Sequence, residues 1–209
     1  MSHQDAETIR IFMDYVKHLP PEEFIRNMLL CFAAPTIKNL KAACLINFRR
    51  HEHENMRFLW LEHADEWLTP LNVKALLLNE YAGGRNALVL VYRQELLAAA
   101  LGCEKACAIL AEYGYPLRDV EACLECLREK YGTGFPHEIG LFLDYPPEDV
   151  RGFIENKPAK CSGCWKVYGD VNKALKTFRQ YKNAECEAAR RILAGRQNIY
   201  QEAVSWQKY

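Results

Sequence analysis

The N-terminal third of the chain has apolar side chains at helical spacing. Between residues 9 and 16 they recur every three or four positions, which predicts an amphipathic helix over residues 5–19. Pro20 and Pro21, followed by two acids, end this helix and begin another, because proline suits the first helical turn and acids favour the positive end of the helix dipole. The second helix completes an N-terminal helical segment over residues 5–33.

The clearest β pattern lies in the segments "KALLLNEY" and "NALVLVYR", which flank Gly83 and Gly84. Glycine adopts the positive φ angles of a tight turn, so the pattern predicts a β-hairpin over about residues 74–92. The short apolar run from Lys41 to Phe48 predicts a further buried strand, and "CWKVYGD" (residues 164–170) predicts a fourth.

Helical spacing returns after the hairpin. Two helices are expected between residues 94 and 131, and a third after Pro146 and Pro147, with a stripe of Val150, Phe153 and Ile154 expected to be buried. Asp170 is suited to cap a long C-terminal helix. The chain is therefore predicted to be an α+β protein with about four strands in a small sheet, flanked by helices.

Composition and charge narrow the class of protein. The 209 residues are 50% hydrophobic and 26% charged, which is typical of a globular chain and predicts a single domain over residues 1–209 with a C-terminal helical extension at 182–209. The chain has 27 basic residues (Lys and Arg) and 27 acidic residues (Asp and Glu), so its formal net charge is zero. Without a net positive charge to attract phosphates, no nucleic-acid partner is expected.

The N-terminus, residues 1–10, is polar and lacks the pattern of a signal peptide. No stretch approaches the roughly 18 consecutive apolar residues needed to span a bilayer, so we expect no membrane span and a cytoplasmic location. The nine cysteines are then expected to be thiols in a reducing compartment, without an obligatory structural disulfide.

Four segments together resemble a bacterial family known as domain of unknown function 3793. They are "APTIKNLK" (34–41), "NALVLVYR" (86–93), "FPHEIGLFLDYPPEDVRGFIEN" (135–156) and "CWKVYGD" (164–170). The resemblance covers a core of about residues 31–181 and implies a cytoplasmic protein of anaerobic bacteria, with no established activity to carry over. An aromatic residue is expected in many relatives where this chain has Cys164, so a site that requires Cys164 would not be common to the family.

Cysteine pairs supply the first candidate chemistry. Cys161 and Cys164 are separated by two small residues, so their sulfurs can turn toward one Zn or Fe ion or form a redox couple. Cys123 and Cys126 are the candidates for completing a four-ligand site. The alternative is that Cys123 is a small buried hydrophobe, because it shares the apolar stripe of its helix, and that the loop at Cys161 only connects two elements.

Other candidates are a histidine, an acid and two lysines. His137 and Glu138 are adjacent and could contribute to a ligand site or an active site, although helix-start chemistry explains them too, with Glu138 as a first-turn acid. Lys38 and Lys41 are candidates for holding an acidic ligand, against the alternative of a solvated rim around a strand.

The histidines at 51, 53 and 63 lack the spacing of a helical metal motif and are best explained as part of a solvated, charged segment. The sequence therefore leaves three functions open. The first is a cytoplasmic binding or accessory protein, handling a metal or cofactor. The second is an enzyme with a site around His137, Glu138 and the Cys161–Cys164 loop. The third is an interaction module that binds a protein partner, or a second copy, through the C-terminal helix.

Overall fold

The computed structural model describes residues 3–49, 55–79, 85–117 and 119–195. The helices of this part are α1 (His3–Val16), α2 (Pro21–Phe32), α3 (Ala34–Ile37), α4 (Met56–Leu68), α5 (Gln94–Leu101), α6 (Glu104–Glu112), α7 (Val120–Thr133), α8 (Ile139–Phe142), α9 (Pro147–Ile154) and α10 (Val171–Leu193). The strands are β1 (Ala43–Phe48), β2 (Lys74–Leu77), β3 (Ala87–Tyr92), β4 (Cys161–Ser162) and β5 (Lys166–Val167).

The main sheet has three strands in the order β1-β3-β2, and β3 runs antiparallel to both neighbours. Tyr92 at the end of β3 lies opposite Ala43 on one side and Lys74 on the other. This arrangement confirms the α+β class and the pairing of the predicted hairpin strands. The turn between those strands, residues 80–84, lies outside the described residues.

Side chains of the sheet alternate between two apolar layers, because successive residues of a strand point to opposite faces. Val89 and Val91 face a core formed with α1, α2, α3, α4 and the C-terminal half of α10. Leu88 and Leu90 face a second core formed with α5 to α9. Every residue of β3 is buried as a result, which explains why "ALVLVY" is apolar throughout rather than alternating.

A buried arginine ties the end of β3 to two distant turns. The guanidinium of Arg93 donates to the carbonyl oxygens of Thr36 (3.3 Å), Ile37 (2.8 Å) and Asn72 (2.6 Å). Burial lowers the pKa of Arg93 from its ordinary value. The carbonyl oxygens of Thr36 and Ile37 belong to α3, so the cation also meets the negative end of that short helix.

The predicted fourth strand lies outside the main sheet. Lys166–Val167 pairs with Cys161–Ser162 in a separate two-stranded hairpin. Its Trp165 and Val167 form a small third core with Ala174 and Tyr181 of α10.

Helix α9 is fastened to this hairpin by a carboxylate and a glycine. Asp149 is 2% exposed and accepts hydrogen bonds from Trp165 Nε1 (2.7 Å) and the backbone N–H groups of Tyr168 (2.6 Å) and Gly169 (2.7 Å). A Cβ on Gly152 would lie 2.4 Å from the Tyr168 ring, so only glycine fits this contact. Because the helix buries the face of Asp149 and Gly152, Phe153 is 37% exposed, and its predicted place in a buried stripe was wrong.

Helix α10 begins after Asp170, as its sequence predicts, and its last residue is Leu193. The Asp170 carboxylate accepts from the Lys173 N–H (3.0 Å), and Gly195 follows the last turn with a φ of 66°, which favours glycine. Residues 196–209, where partner binding was predicted, lie outside the described residues. None of the helices described is both long enough and apolar enough to cross a membrane.

Candidate ligand site

An open cleft of about 400 Å³ lies between α2, β1, the β4-β5 hairpin and α10. We call it the Lys41 cleft, after a lysine that lies two residues before β1. Its walls combine apolar, aromatic, cationic and thiol groups. They comprise Met28, Phe32, Pro35, Lys41, Cys44, Leu45, Ile46, Asn47, Leu143, Tyr145, Cys164, Tyr181, Lys182 and Glu185.

Lys41 is held between two aromatic rings. Its Nζ atom lies 5.5 Å from the ring centre of Tyr145 and 5.3 Å from that of Tyr181, within the range of cation–π attraction. Within the described residues Lys41 forms no ion pair with a carboxylate. Lys38, only three residues earlier, instead forms an ion pair with Glu187 of α10. The structure thus separates the two lysine candidates and brings only Lys41 into the cleft.

The two tyrosines that flank Lys41 are held in the neutral form. Burial raises the pKa of Tyr145 to about 12, and burial followed by the nearby Asp144 raises the pKa of Tyr181. The Tyr145 hydroxyl donates to the carbonyl oxygen of Cys164 at 3.3 Å, which fixes the ring against the hairpin. Both rings therefore act as uncharged walls at neutral pH.

Cys164 faces the same cleft as Lys41, which brings together two residues that sequence reasoning had treated separately. Although Cys164 is an exposed residue, desolvation by the cleft walls raises the pKa of its thiol, and the nearby Lys41 offsets this only in part. This shift favours the thiol over the thiolate, so Cys164 is a weak nucleophile at neutral pH. Cys161 packs instead with the Trp165 and Val167 core.

The other cysteine pair belongs to a different layer. Cys123 is buried in the α5 to α9 core, and its thiol donates to the carbonyl oxygen of Pro116 at 3.2 Å. Burial raises the pKa of both Cys123 and Cys126. Across the described ranges, no three or more His, Cys, Asp or Glu side chains are grouped as metal ligands. The four cysteines therefore gain no support from this geometry as a Zn or Fe site.

His137 and Glu138 have separate environments. Glu138 is 3% exposed and accepts a hydrogen bond from the Tyr115 hydroxyl at 2.9 Å. Burial and this carboxylate raise the pKa of Tyr115. His137 is exposed and lies between the rings of Phe135 and Phe153. Glu138 precedes α8 but makes no side-chain capping bond there, so its role is this buried contact rather than the predicted helix-start role.

Of the histidines considered from sequence, residues 51 and 53 lie outside the described residues. His63 packs against the Trp67 ring with 5.5 Å between ring centres.

Sequence reasoning missed Tyr145 and Tyr181 as parts of the site. Tyr145 directly precedes Pro146 and Pro147, and Tyr181 lies within the long C-terminal helix, so local patterns mark neither ring as part of a site. The same two rings also line a neighbouring cavity of about 370 Å³, whose walls include Asp144, Asp170 and Lys173. The signal that could have identified Tyr145 is its position in the segment that resembles the family most specifically.

The chain belongs to the family described as "Protein of unknown function (DUF3793)", whose sequence profile matches residues 29–200. The match begins within α2, so α1 precedes it, although Phe12 and Val16 of α1 are fully buried. It includes every residue of the Lys41 cleft except Met28. Neither the curated proteins nor the solved structures contain a match to this chain.

Proposed function

We propose that this protein is a non-enzymatic binding protein, and that the Lys41 cleft holds a small organic anion. The observation that carries the proposal is Lys41 itself, an ammonium placed between two tyrosine rings at the wall of an open cleft, without an ion pair among the described residues. In the part of the chain that the structure describes, the two rings attract the ammonium but leave its N–H donors without a carboxylate or phosphate acceptor at ion-pair distance, and an anionic ligand would supply one.

The other walls indicate what the rest of the ligand is. Met28, Phe32 and Leu143 offer apolar contacts, whereas Lys182 is already paired with Glu185 at 2.9 Å. A volume of about 400 Å³ is within the usual range for small-molecule sites. The ligand class that fits is a compact carboxylate or phosphate ester with an apolar portion.

Binding is favoured over catalysis because the cleft lacks an activated group. Cys164 and both tyrosines are held protonated by burial, and none of them has a base at hydrogen-bond distance among its described contacts. An active site built from His137, Glu138 and the Cys161–Cys164 loop would require these groups to converge. Glu138 is buried against Tyr115, whereas His137 faces solvent. An accessory role in the cytoplasm agrees with the family resemblance.

The test uses phenyl phosphate, because its phosphorus nucleus reports binding directly in ³¹P NMR. Lys41→Met removes the charge and keeps a similar length, so we expect wild-type protein to bind and the variant to bind at least about tenfold more weakly, which is the loss of one charge-assisted contact. Lys176→Met, an exposed lysine of α10, serves as the matched control and should bind as wild type does.

Equal affinity in the wild type and Lys41→Met would contradict the proposal, as would the absence of saturable binding to the wild type. A thermal unfolding curve of each variant checks that the fold is retained. Native mass spectrometry of protein purified from cells would then identify any anion that copurifies with the wild type and is lost from Lys41→Met.

A further inference from the structure

A second pocket lies on the other side of Tyr145, between α8, α9 and the β4-β5 hairpin. Its volume is about 230 Å³, and its walls are almost entirely carbon. We call it the Phe153 pocket. It is lined by Phe135, His137, Ile139, Gly140, Leu143, Tyr145, Asp149, Val150, Phe153, Trp165 and Lys166. It shares Leu143 and Tyr145 with the Lys41 cleft but contains neither Lys41 nor Cys164.

The mouth of this pocket is formed by rings that remain exposed. Phe135 is 57% exposed and Phe153 is 37% exposed. His137 lies between them, with its ring centre 5.2 Å from that of Phe153 at an interplanar angle of 78°, and 6.3 Å from that of Phe135. Such edge-to-face and tilted arrangements leave ring faces and edges available to a further aromatic ring.

The floor of the pocket is closely packed. A Cβ on Gly140 would lie 2.8 Å from Cγ2 of Val150 and 3.2 Å from the Tyr145 ring, so a larger residue would force the floor apart. The inner wall is Trp165, which stacks on Tyr145 with 4.7 Å between ring centres. The floor and inner wall of the pocket are therefore formed by closely packed side chains, whereas its mouth is formed by exposed rings.

The charges at the pocket favour an anion. Lys166 places its Nζ atom 5.4 Å from the ring centre of Phe153 and forms no ion pair within the described part of the chain. The acid that adjoins the pocket, Asp149, is satisfied by its three hydrogen-bond donors. A ligand that enters thus meets apolar rings inside and a cation beside Phe153.

We propose that the Phe153 pocket binds a small aromatic carboxylate, with its ring among Phe135, His137 and Phe153 and its carboxylate at Lys166. Benzene fills an engineered apolar cavity of about 150 Å³ in another protein. The Phe153 pocket, at about 230 Å³, accommodates such a ring with a short acidic arm. This site is distinct from the Lys41 cleft and does not depend on the function proposed for that cleft.

The test is a titration with phenylacetate, followed by ¹H–¹⁵N NMR and by tryptophan fluorescence, which Trp165 should report. Phenylacetamide, the neutral analogue of nearly the same shape, separates the ring from the charge. We expect one phenylacetate per chain, with phenylacetamide bound about fivefold more weakly. Lys166→Gln should lower the affinity for phenylacetate to that for the amide, whereas the exposed-lysine control Lys176→Gln should not change it.

Phe153→Ala removes the ring that both His137 and Lys166 contact, and it should weaken the binding of both compounds by about tenfold or more. Because Phe153 is partly exposed, the variant should still fold, and its NMR spectrum checks this. Phenyl phosphate and phenylacetate are both small aromatic anions, so Phe153→Ala and Lys41→Met are each titrated with both compounds. A compound whose binding is weakened by Phe153→Ala and kept by Lys41→Met occupies the Phe153 pocket, and the reverse pattern places it in the Lys41 cleft. Phenylacetate should follow the first pattern. The failure of one site is therefore distinguishable from the failure of the other.

Three results would overturn the proposal. The first is no saturable binding of phenylacetate to the wild-type chain. The second is binding that Lys41→Met abolishes and Phe153→Ala leaves intact, which would place phenylacetate in the Lys41 cleft. The third is a concentration-dependent dimer, seen by sedimentation, that Phe153→Ala dissociates, because the exposed rings would then be an interface between two copies.

Discussion

The sheet core and the hairpin corner of this protein are built in different ways. The sheet core is β1, β2 and β3 with the helices on both faces, and it is apolar throughout the six residues of β3. The hairpin corner comprises β4, β5, α9 and the N-terminal half of α10. Its own core contains four buried residues, Trp165, Val167, Ala174 and Tyr181, and it is fastened by the carboxylate of Asp149.

This difference explains where the cavities lie. A continuous apolar strand with side chains on both faces fills the space around a sheet efficiently, whereas a few large rings and glycines leave gaps between them. The Lys41 cleft, the Phe153 pocket and the neighbouring cavity of about 370 Å³ all include Tyr145, which stacks on the corner residue Trp165. These three cavities therefore meet around one ring at the hairpin corner.

The largest expected effect tests whether the corner depends on a charge. Asp149→Ala leaves three donors without their acceptor, two of them backbone N–H groups, so we expect a loss of about 4 kcal/mol in the free energy of unfolding. Urea denaturation followed by tryptophan fluorescence measures it. Glu148→Ala, the exposed neighbour, should change stability by less than about 0.5 kcal/mol. If both variants lost equally little free energy of unfolding, the hairpin corner would be stabilised by apolar burial alone, as the sheet core is.

Much of the sheet core could be predicted because its signals are local. The apolar runs of β1 and β3, and the glycines between β2 and β3, are properties of neighbouring residues, and the structure confirms the strands they predict. The corner was less predictable. Nothing near Asp149 in the sequence shows that the indole of Trp165 and two backbone N–H groups, 16 to 20 residues later, will surround it.

A smaller effect tests the close packing of the corner. A Cβ on Gly163 would lie 2.2 Å from a ring carbon of Phe178, so Gly163→Ala should cost about 2 kcal/mol in thermal or urea unfolding. Gly132→Ala is the matched control, because a Cβ there meets no atom within 4 Å and alanine favours the helix. It should be neutral or stabilise by up to about 1 kcal/mol. A neutral Gly163→Ala would mean that the Phe178 ring moves aside and that the corner is loosely packed.

The candidate site was predictable only in its parts. Lys41 and Cys164 were both identified as candidates, but they are 123 positions apart in the sequence, and only the packing of the hairpin beside β1 brings them to one cleft. Glu138 was also identified as a candidate, but its partner, the Tyr115 hydroxyl from which it accepts a hydrogen bond, lies 23 residues earlier in the chain. Pairings of this kind depend on the tertiary fold, which single-residue patterns do not encode.

The smallest effect concerns the acid that precedes Tyr145. Burial raises the pKa of Asp144 above its ordinary value of 3.8, against the opposing effects of the Ala42 N–H and Lys41. A carboxyl whose pKa is raised by folding favours the folded state most below pH 3.8, and this contribution is lost as pH rises through the folded-state pKa. At pH 7 the free energy of unfolding of Asp144→Asn should therefore equal that of the wild type or exceed it by up to about 1 kcal/mol.

Asparagine tolerates the φ of 62° at this position and retains an acceptor for the Ala42 N–H, so the comparison isolates the charge. Urea denaturation at pH 7 and near pH 3.5 measures the difference, which should shrink at the lower pH. The opposite trend, in which wild type loses stability relative to Asp144→Asn on acidification, would show that attraction to Lys41 outweighs burial.

The Arg93 contacts also bear on how the chain folds as a whole. The guanidinium is buried, yet its three acceptors belong to the turns before β1 and before β2, so neither turn alone can satisfy it. In a partly assembled sheet the buried guanidinium would have N–H donors without hydrogen-bond acceptors. Such a state is less favourable than the folded state, where all three acceptors are present, or the unfolded state, where water satisfies the donors. Arg93 should thus suppress intermediates and make the sheet assemble in one cooperative step.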